Sequence, residues 1–180
     1  MDEHAEVDAK AFLDVMFDGI PADAAEQVRN LFAVQFAAQI AAARSKRGIE
    51  LLVPAPKPGG AALPGAAVLI AEVVIPASVV PDPVEVVARV AQNSAGARTG
   101  VVAGSVAVRI DHFAADADTE ADDEPVPPPR KRIEYVIAVP GDPRWLSINL
   151  SVQASDGFDA DQAIMDFDQT VARLGWAASE

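Results

Sequence analysis

Apolar residues recur every three or four positions between residues 21 and 47, a spacing that predicts one long amphipathic helix. The apolar stripe of this helix would consist of Val28, Leu31, Phe32, Phe36 and Ile40. Pro21 suits the first helical turn, where a missing N–H leaves no bond unmade, and Gly48 is expected to end the helix. A helix with one apolar stripe must cover another element, most simply a sheet.

Two shorter helices are predicted further along the chain. Pro83 opens the first of them, which continues to about Asn93. The second runs to Leu174 and is capped by Asp159 or Asp161, whose carboxylates can accept the unpaired N–H groups of a first turn. Its buried stripe would consist of Ala163, Ile164, Phe167, Val171 and Leu174.

Six segments have the alternating or continuously apolar pattern of β-strands. They cover residues 49–53, 66–75, 101–113, 131–139 and 145–152. A break near Gly104 divides the segment 101–113 into two strands, which brings the number to six. In 101–113, Val106, Val108, Ile110 and His112 face one way, and Ala107, Arg109 and Asp111 face the other. In 145–152, Leu146, Ile148, Leu150 and Val152 share one face, and Ser147, Asn149 and Ser151 share the opposite face. Such alternation is typical of antiparallel strands.

The elements follow one another as helix, two strands, helix, two strands, an acidic loop, two strands and helix. Connections between neighbouring strands are short, as at the tight turn of residues 141–143, and parallel strands would need much longer crossovers. The sequence therefore predicts a single α+β domain over residues 1–180, with a mostly antiparallel sheet of about six strands flanked by three helices.

Two segments are expected to be mobile. Residues 1–18 are rich in acidic side chains, and we expect a frayed start followed by a short segment that docks through Phe12, Leu13, Val15, Met16 and Phe17. Residues 114–129 carry six acids and four prolines, a composition that buries too little apolar surface to offset the entropy of ordering. The loop over 114–130 is therefore predicted to be mobile.

Charge and composition narrow the classes of partner. The chain has 27 acidic and 14 basic side chains, a net charge of −13, which disfavours binding to nucleic acid or to anionic membrane surfaces. It has no cysteine, so disulfides and thiolate chemistry are excluded. The first ten residues are acidic rather than basic and no apolar run is long enough to span a membrane, so a cytoplasmic location is expected.

The C-terminal part of the chain carries a resemblance. Residues 133–176 contain a strand that ends in Val-Pro-Gly, a hairpin partner, and a helix that closes on Leu-Gly-Trp. This segment resembles the C-terminal half of a group of short uncharacterised actinobacterial proteins, and the order of all the elements resembles the Mog1/PsbP-like fold. The resemblance implies a binding or assembly factor rather than an enzyme, and it implies no cofactor or site residue.

One histidine invites a catalytic interpretation. His112 directly follows Asp111, which suggests a Ser-His-Asp triad with Ser105, Ser147 or Ser151 as the nucleophile. Adjacent residues of a strand point to opposite faces, however, so Asp111 could not orient the His112 ring. The chain also lacks a Gly-x-Ser-x-Gly elbow. We therefore expect no catalytic residue, with a small hydrolase that uses His112 as the alternative.

Carboxylate groups invite metal-site interpretations. Asp116, Asp118 and Glu120 alternate like the start of a calcium loop, but Ala121 and Pro127 stand where an EF-hand needs Gly and Glu. A second group consists of Asp156, Asp159 and Asp161, and helix capping accounts for it without a metal. No metal site is predicted.

Phosphate and cofactor sites have equally weak signals. The basic run Arg130–Arg132 could bind an anion, but the acids of the preceding loop are its nearest partners in sequence. Gly59-Gly60 and the glycines between residues 100 and 104 lack the spacing and the lysine of phosphate-binding loops. No cofactor is predicted.

An interaction surface is the remaining candidate. Trp145 shares a strand face with Ser147 and Asn149, and an aromatic residue in polar surroundings can anchor a partner; the alternative is that a helix of the same chain covers it. Trp176 is expected in the core. The sequence thus predicts a non-catalytic cytoplasmic module that binds or assembles with a protein partner, the alternatives being a small hydrolase and a structural homo-oligomer.

Overall fold

The computed structural model describes residues 5–18, 21–53, 66–74, 82–113, 130–153 and 158–177, and within them the chain forms four helices and six strands. The helices are α1 (Ala5–Met16), α2 (Ala22–Ser45), α3 (Pro83–Asn93) and α4 (Ala160–Ala172). The strands are β1 (Gly48–Leu52), β2 (Ala66–Val74), β3 (Ala97–Val102), β4 (Ser105–Phe113), β5 (Arg130–Ala138) and β6 (Arg144–Gln153). This succession confirms the predicted α+β class, with one helix more than the three expected.

The six strands form one sheet in the order β1-β2-β6-β5-β4-β3, and every neighbouring pair is antiparallel. Tight turns connect the strands of the hairpins β3-β4 and β5-β6. In the second turn, hydrogen bonds from the side chain and backbone of Arg144 lower the pKa of Asp142 to about 2. The pairing of β2 with β6 joins residues distant in the chain, for example Ile70 opposite Ile148. The predicted antiparallel sheet is therefore confirmed.

One face of the sheet packs against α4, and we call it the α4 face. Phe167 and Val171 of that helix are buried against apolar side chains of β5 and β6. The strand residues of this core are Val102, Ala107, Ile133, Ile137, Ile148, Leu150 and Val152. They occupy every second position of their strands, as a two-residue period requires when one face is buried.

The opposite face packs against α3, and we call it the α3 face. Val86 and Val87 of the helix are buried with Val108, Ile110 and Trp145 of the sheet. Asp82 caps this helix, since its carboxylate accepts the N–H of Val84 at 2.9 Å. Helices therefore cover both faces of the sheet.

The first two helices pack against each other beside the edge strand β1. Leu13, Met16 and Phe17 are buried against Phe36 of α2, and the rings of Phe12 and Phe36 meet edge to face at 5.2 Å. Phe12, Leu13, Met16 and Phe17 thus dock as the sequence predicts, whereas Val15 is 49% exposed and does not. All but Phe17, which directly follows α1, belong to a regular helix that the acidic composition of the segment did not indicate.

Three local expectations at helix ends are wrong. Gly48 does not end α2: Arg47 takes the left-handed conformation, with φ 57°, and Gly48 starts β1. Gly48 is needed for space, because a Cβ there would lie 2.8 Å from the carbonyl oxygen of Ala43. Leu174 and Trp176 follow the last helix rather than filling the core, and each is 38% exposed. The predicted mobile loop lies, except for Arg130, outside the described residues.

Candidate functional site

Five polar side chains form a connected row across three strands on the α3 face. We call this row the polar strip; its members are His112 of β4, Arg132 and Glu134 of β5, and Ser147 and Asn149 of β6. The strand register brings them together, since His112 lies opposite Arg132 and Glu134 lies opposite Asn149. Residues directly opposite in an antiparallel pair share a face, so the two-residue period places all five on one side.

Glu134 is the centre of the polar strip. Its Oε2 bonds the Nε2 of His112 at 2.8 Å and accepts a hydrogen bond from Nη2 of Arg132 at 2.9 Å. Its Oε1 accepts a hydrogen bond from the hydroxyl of Ser147 at 2.9 Å. Both carboxylate oxygens are thus occupied by groups of the protein itself.

Asn149 closes the polar strip. Its amide Nδ2 donates to the Ser147 hydroxyl at 2.6 Å, and its Oδ1 accepts from Nε of Arg132 at 3.1 Å. The Arg132 guanidinium is consequently held at two nitrogens, by Asn149 and by Glu134. Such mutual bonding fixes rotamers that an exposed arginine would otherwise sample freely.

Burial and charge divide the polar strip into a covered part and an open part. Glu134 and Ser147 are largely covered, whereas the side chains of His112 and Arg132 are 40% and 43% exposed. Burial opposes ionisation of Glu134, but the hydrogen bonds from His112 and Ser147 and the charge of Arg132 outweigh it and lower the pKa of the carboxyl. Glu134 is therefore a largely covered anion that orients its half-exposed neighbours.

The geometry is not that of a catalytic triad. The carboxylate of Glu134 stands between His112 and Ser147, and each of the two bonds a different oxygen of it. In a triad the imidazole stands between the hydroxyl and the acid, because it must take the proton of the nucleophile. As predicted, Asp111 lies on the other face, where it bonds Arg109. The sequence analysis missed Glu134, whose place beside His112 depends on the pairing of β4 with β5.

The predicted interaction residues separate into two environments. Trp145 lies on the same face as Ser147 and Asn149, but its indole is packed among residues of α3 and the sheet and is 6% exposed. This agrees with the alternative interpretation, in which the chain's own helix covers the tryptophan. Ser147 is 2% exposed, so Asn149 is the member of the predicted surface that reaches the open part of the polar strip.

The other two serines proposed as nucleophiles lie away from this centre. Ser105 is buried in β4 at an odd-numbered position, on the α4 face with Ala107. Ser151 is exposed and lies opposite Arg132 at the end of the polar strip. Within the part of the chain that the structure describes, neither serine makes a hydrogen bond to His112.

A second polar cluster lies on the α4 face and joins α4 to the sheet. Arg109 of β4 donates to both carboxylate oxygens of Asp168 at 3.0 and 3.1 Å, and its guanidinium also bonds Asp111. The hydroxyl of Tyr135 donates to Asp168 at 2.8 Å. Burial, together with the hydrogen bond to Asp168, raises the pKa of Tyr135 to about 12. This cluster fixes the position of α4 on the sheet, because the Arg109 side chain, which is 16% exposed, pairs with Asp168 of that helix.

The carboxylates considered as metal ligands have other roles where they are described. Asp159 caps α4 by accepting the N–H groups of Asp161 and Gln162, and Asp161 pairs with Lys131 at 2.6 Å. Within the described ranges, no group of three or more histidine or carboxylate side chains could hold a metal ion. The candidate ligands Asp116, Asp118, Glu120 and Asp156 lie outside the described residues.

The basic run is divided by the strand period. Arg130 and Arg132 lie on the α3 face, whereas Lys131 lies on the α4 face beside Asp161. Gly100 and Gly104 belong to the β3-β4 hairpin rather than to a phosphate-binding loop, and Gly59-Gly60 lies outside the described residues. None of the helices in the described part of the chain has an apolar stretch that could span a bilayer.

Comparisons with known proteins include a weak likeness to a solved structure. No protein-family model matches the chain, and no curated protein matches it. Among solved structures the chain is similar to LpqN, described as involved in cell envelope biogenesis of Mycobacterium tuberculosis, with 13% identity and a TM-score of 0.34. The match covers 61% of this chain and 60% of the LpqN chain. A Mog1/PsbP-like fold is not shown by these comparisons and stays a prediction.

Proposed function

We propose that the protein is a non-catalytic cytoplasmic binding module, and that the polar strip on the α3 face is its binding site. The observation that carries this proposal is the arrangement around Glu134. A largely covered carboxylate holds two half-exposed side chains, His112 and Arg132, in fixed positions at the surface. Side chains ordered before a ligand arrives lose less entropy on binding, which favours recognition.

The bonding of Glu134 also supports a binding role over a catalytic one. A general base works best with a pKa near the operating pH, and the pKa of Glu134 is lowered instead. The hydroxyl of Ser147 accepts from Asn149 and donates to Glu134, so its hydrogen bonds hold it among neighbouring side chains. Each of these contacts stabilises a resting arrangement rather than a nucleophile.

A small hydrolase is the second candidate, because His112, Glu134 and Ser147 do belong to one hydrogen-bonded group. For catalysis, the Glu134 side chain would have to leave its place between the other two so that the imidazole could reach the hydroxyl. That movement would break the hydrogen bonds of the Glu134 carboxylate, each worth about 1.5–3 kcal/mol. We also propose that the protein has the Mog1/PsbP-like fold, in which helices flank an antiparallel sheet.

Two measurements test the proposal. The first compares partners captured from source cells by wild type, by the double variant His112→Gln/Arg132→Gln and by the control Arg98→Gln, which removes an exposed arginine on the opposite face. A partner held by wild type and the control but lost by the double variant is the expected result. Equal capture by all three would remove the polar strip as the binding site.

The second measurement screens ester, phosphoester and peptide hydrolysis with wild type, His112→Ala and Ser147→Ala. We expect no activity that depends on either residue. Removing a general base costs at least about a hundredfold in rate, so an activity present in wild type and lost in both variants would establish the hydrolase instead.

A further inference from the structure

Strand β3 is an open edge of the sheet in the part of the chain that the structure describes. The carbonyl oxygen of Gly96 accepts the N–H of Asp111. Hydrogen-bonded pairs recur every second residue in an antiparallel ladder, so the even-numbered residues of β3 bond β4 in the same way. The N–H and C=O groups of Thr99 and Val101 consequently point away from β4, and no hydrogen bond within the described residues occupies them. Such groups can pair with another strand.

The two edges of the sheet differ in their protection against such pairing. β1, at the other edge, has a shift of register between Gly48 and Glu50, exposes the charged Glu50 and packs beside α2. Bulges, charges and covering helices are the means by which natural sheets block an edge. β3 pairs with β4 in unbroken register, contains neither proline nor lysine, and carries Val101, which is 70% exposed. Among the described strands, β3 is therefore the edge that is open to pairing.

The charge around β3 suits a second copy of the same acidic chain. Residues 82–113, which contain α3, β3 and β4, carry three acids and three arginines and are neutral, whereas the whole chain has a net charge of −13. The six acids of residues 114–129 follow Phe113, at the end of β4 away from the turn that joins β4 to β3. Val101 lies beside that turn, opposite Val106. Two copies that meet along β3 therefore meet at a part of the chain without excess negative charge.

The residues of β3 match those of a second copy when the two strands run antiparallel about Gly100. Each Thr99 then lies opposite Val101 of the other copy, and the N–H of each bonds the carbonyl oxygen of the other. Both side chains are β-branched and lie on the α3 face, where they cover each other. Gly100 lies opposite itself, and nothing is within 4 Å of a Cβ added there. Arg98 lies opposite Val102 rather than its own copy, so the two arginine charges stay apart.

We propose that two copies of the chain associate through β3, in antiparallel register about Gly100, so that their two six-stranded sheets become one continuous sheet. This contact goes beyond the proposed binding function and is independent of the polar strip, whose side chains belong to β4, β5 and β6. One strand pair buries less surface than the about 800 Å² per partner of a standard interface. The dimer should therefore be reversible and depend on protein concentration.

Sedimentation equilibrium of the full chain over a range of concentrations tests for this dimer, and wild type should show a monomer–dimer equilibrium. Thr99→Pro should weaken association at least about tenfold, since it removes a backbone N–H that serves the second copy and not the ladder to β4. Val101→Lys should also weaken association, because lysine on an edge strand disfavours pairing. Val34→Lys, at a site 68% exposed on α2, is the matched control for Val101 and should leave the equilibrium unchanged. Thermal unfolding verifies that each variant is folded.

Disulfide trapping tests the register, because the chain has no cysteine of its own. Oxidation should cross-link Gly100→Cys readily, since the Cα atoms of such directly opposite residues lie about 4.5 Å apart. Arg98→Cys is the matched control, at an exposed position on the same face of β3. In the proposed register the two Arg98 positions lie about 13 Å apart along the strands, too far for a disulfide.

Three results would overturn the proposal. They are a wild type that stays monomeric at millimolar concentration, an association that neither Thr99→Pro nor Val101→Lys weakens, and cross-linking of Arg98→Cys as fast as that of Gly100→Cys. In a monomer, hydrogen exchange of the Thr99 and Val101 amides identifies the reason. Slow exchange would show that another segment of the same chain pairs with β3, and fast exchange would show that the edge stays unpaired.

Discussion

Asp111 and His112 are consecutive in β4, yet their side chains lie on opposite faces of the sheet and belong to different polar clusters. Asp111, 9% exposed, bonds Arg109 on the α4 face. His112 bonds Glu134 on the α3 face at 2.8 Å. One peptide unit thus separates the cluster that fixes α4 from the polar strip.

The sole tyrosine of the chain gives the α4 cluster a spectroscopic probe. Tyr135, with a pKa raised to about 12, should titrate well above the ordinary value of 10 when the ultraviolet absorbance of tyrosinate is followed. Because the pKa of Tyr135 is higher in the folded state, its protonated hydroxyl stabilises the folded protein below pH 10. This stabilisation is lost as the pH rises from 10 to about 12. Asp168→Asn should move the titration back towards 10.

The control for that experiment is Asp166→Asn, which changes an exposed aspartate of the same helix that bonds Gln162 rather than the sheet. It should leave the tyrosine titration where it is in wild type. An unchanged midpoint in Asp168→Asn would show that burial alone raises the pKa.

Acid stability should depend on Glu134. Its pKa is lowered in the folded state, so the ionised carboxylate stabilises the folded protein above the ordinary pKa of 4.5. This stabilisation is lost as the pH falls below that value. Glu134→Gln should reduce the free energy of unfolding by about 1–3 kcal/mol at neutral pH, because charged hydrogen bonds are lost. The difference from wild type should shrink below pH 4.5 in urea unfolding. Glu85→Gln, at an exposed site on α3, serves as the control and should show no such dependence.

Two phenylalanines should carry much of the packing of the long helix and the last helix. Phe36 and Phe167 are each 7% exposed, and each meets another aromatic ring edge to face. Replacing either with Ala should lower the free energy of unfolding by ~3–5 kcal/mol, through lost burial and the cavity left behind. Val34→Ala, at a site 68% exposed on the same helix as Phe36, should change it by less than about 0.5 kcal/mol. A small effect at Phe36 would place the α1-α2 contact outside the stable core.

Gly48 and Gly100 offer a matched pair of substitutions. Gly48→Ala places a Cβ 2.8 Å from the backbone oxygen of Ala43, so the turn between α2 and β1 must shift, at a cost of about 1–3 kcal/mol. At Gly100 nothing lies within 4 Å of an added Cβ, and Ala there should be neutral or stabilising by up to about 1 kcal/mol. Thermal unfolding of both variants checks this, and equal effects would contradict the packing reason for Gly48.

Much of the candidate site can be predicted from the sequence. His112, Ser147 and Asn149 were assigned to their strand faces by alternation alone, and the separation of Asp111 from His112 followed from the same period. Glu134 carried the weakest signal: it alternates with Arg132 along β5, but nothing local indicates that it meets His112. That contact needs the pairing of β5 with β4, which is a relation between strands rather than within one.

The sequence by itself determined local features of this protein: five of the strands, the faces of their side chains and the antiparallel hairpins, because these depend on residue spacing and turn chemistry over a few positions. Of β3 (Ala97–Val102), the predicted segment covered the last two residues alone. Only the tertiary structure decided that β2 pairs with β6, that α3 covers Trp145, and that the residues before Phe17 form a helix against Phe36. These are contacts between distant segments, whose energies come from complementary surfaces that no single segment contains.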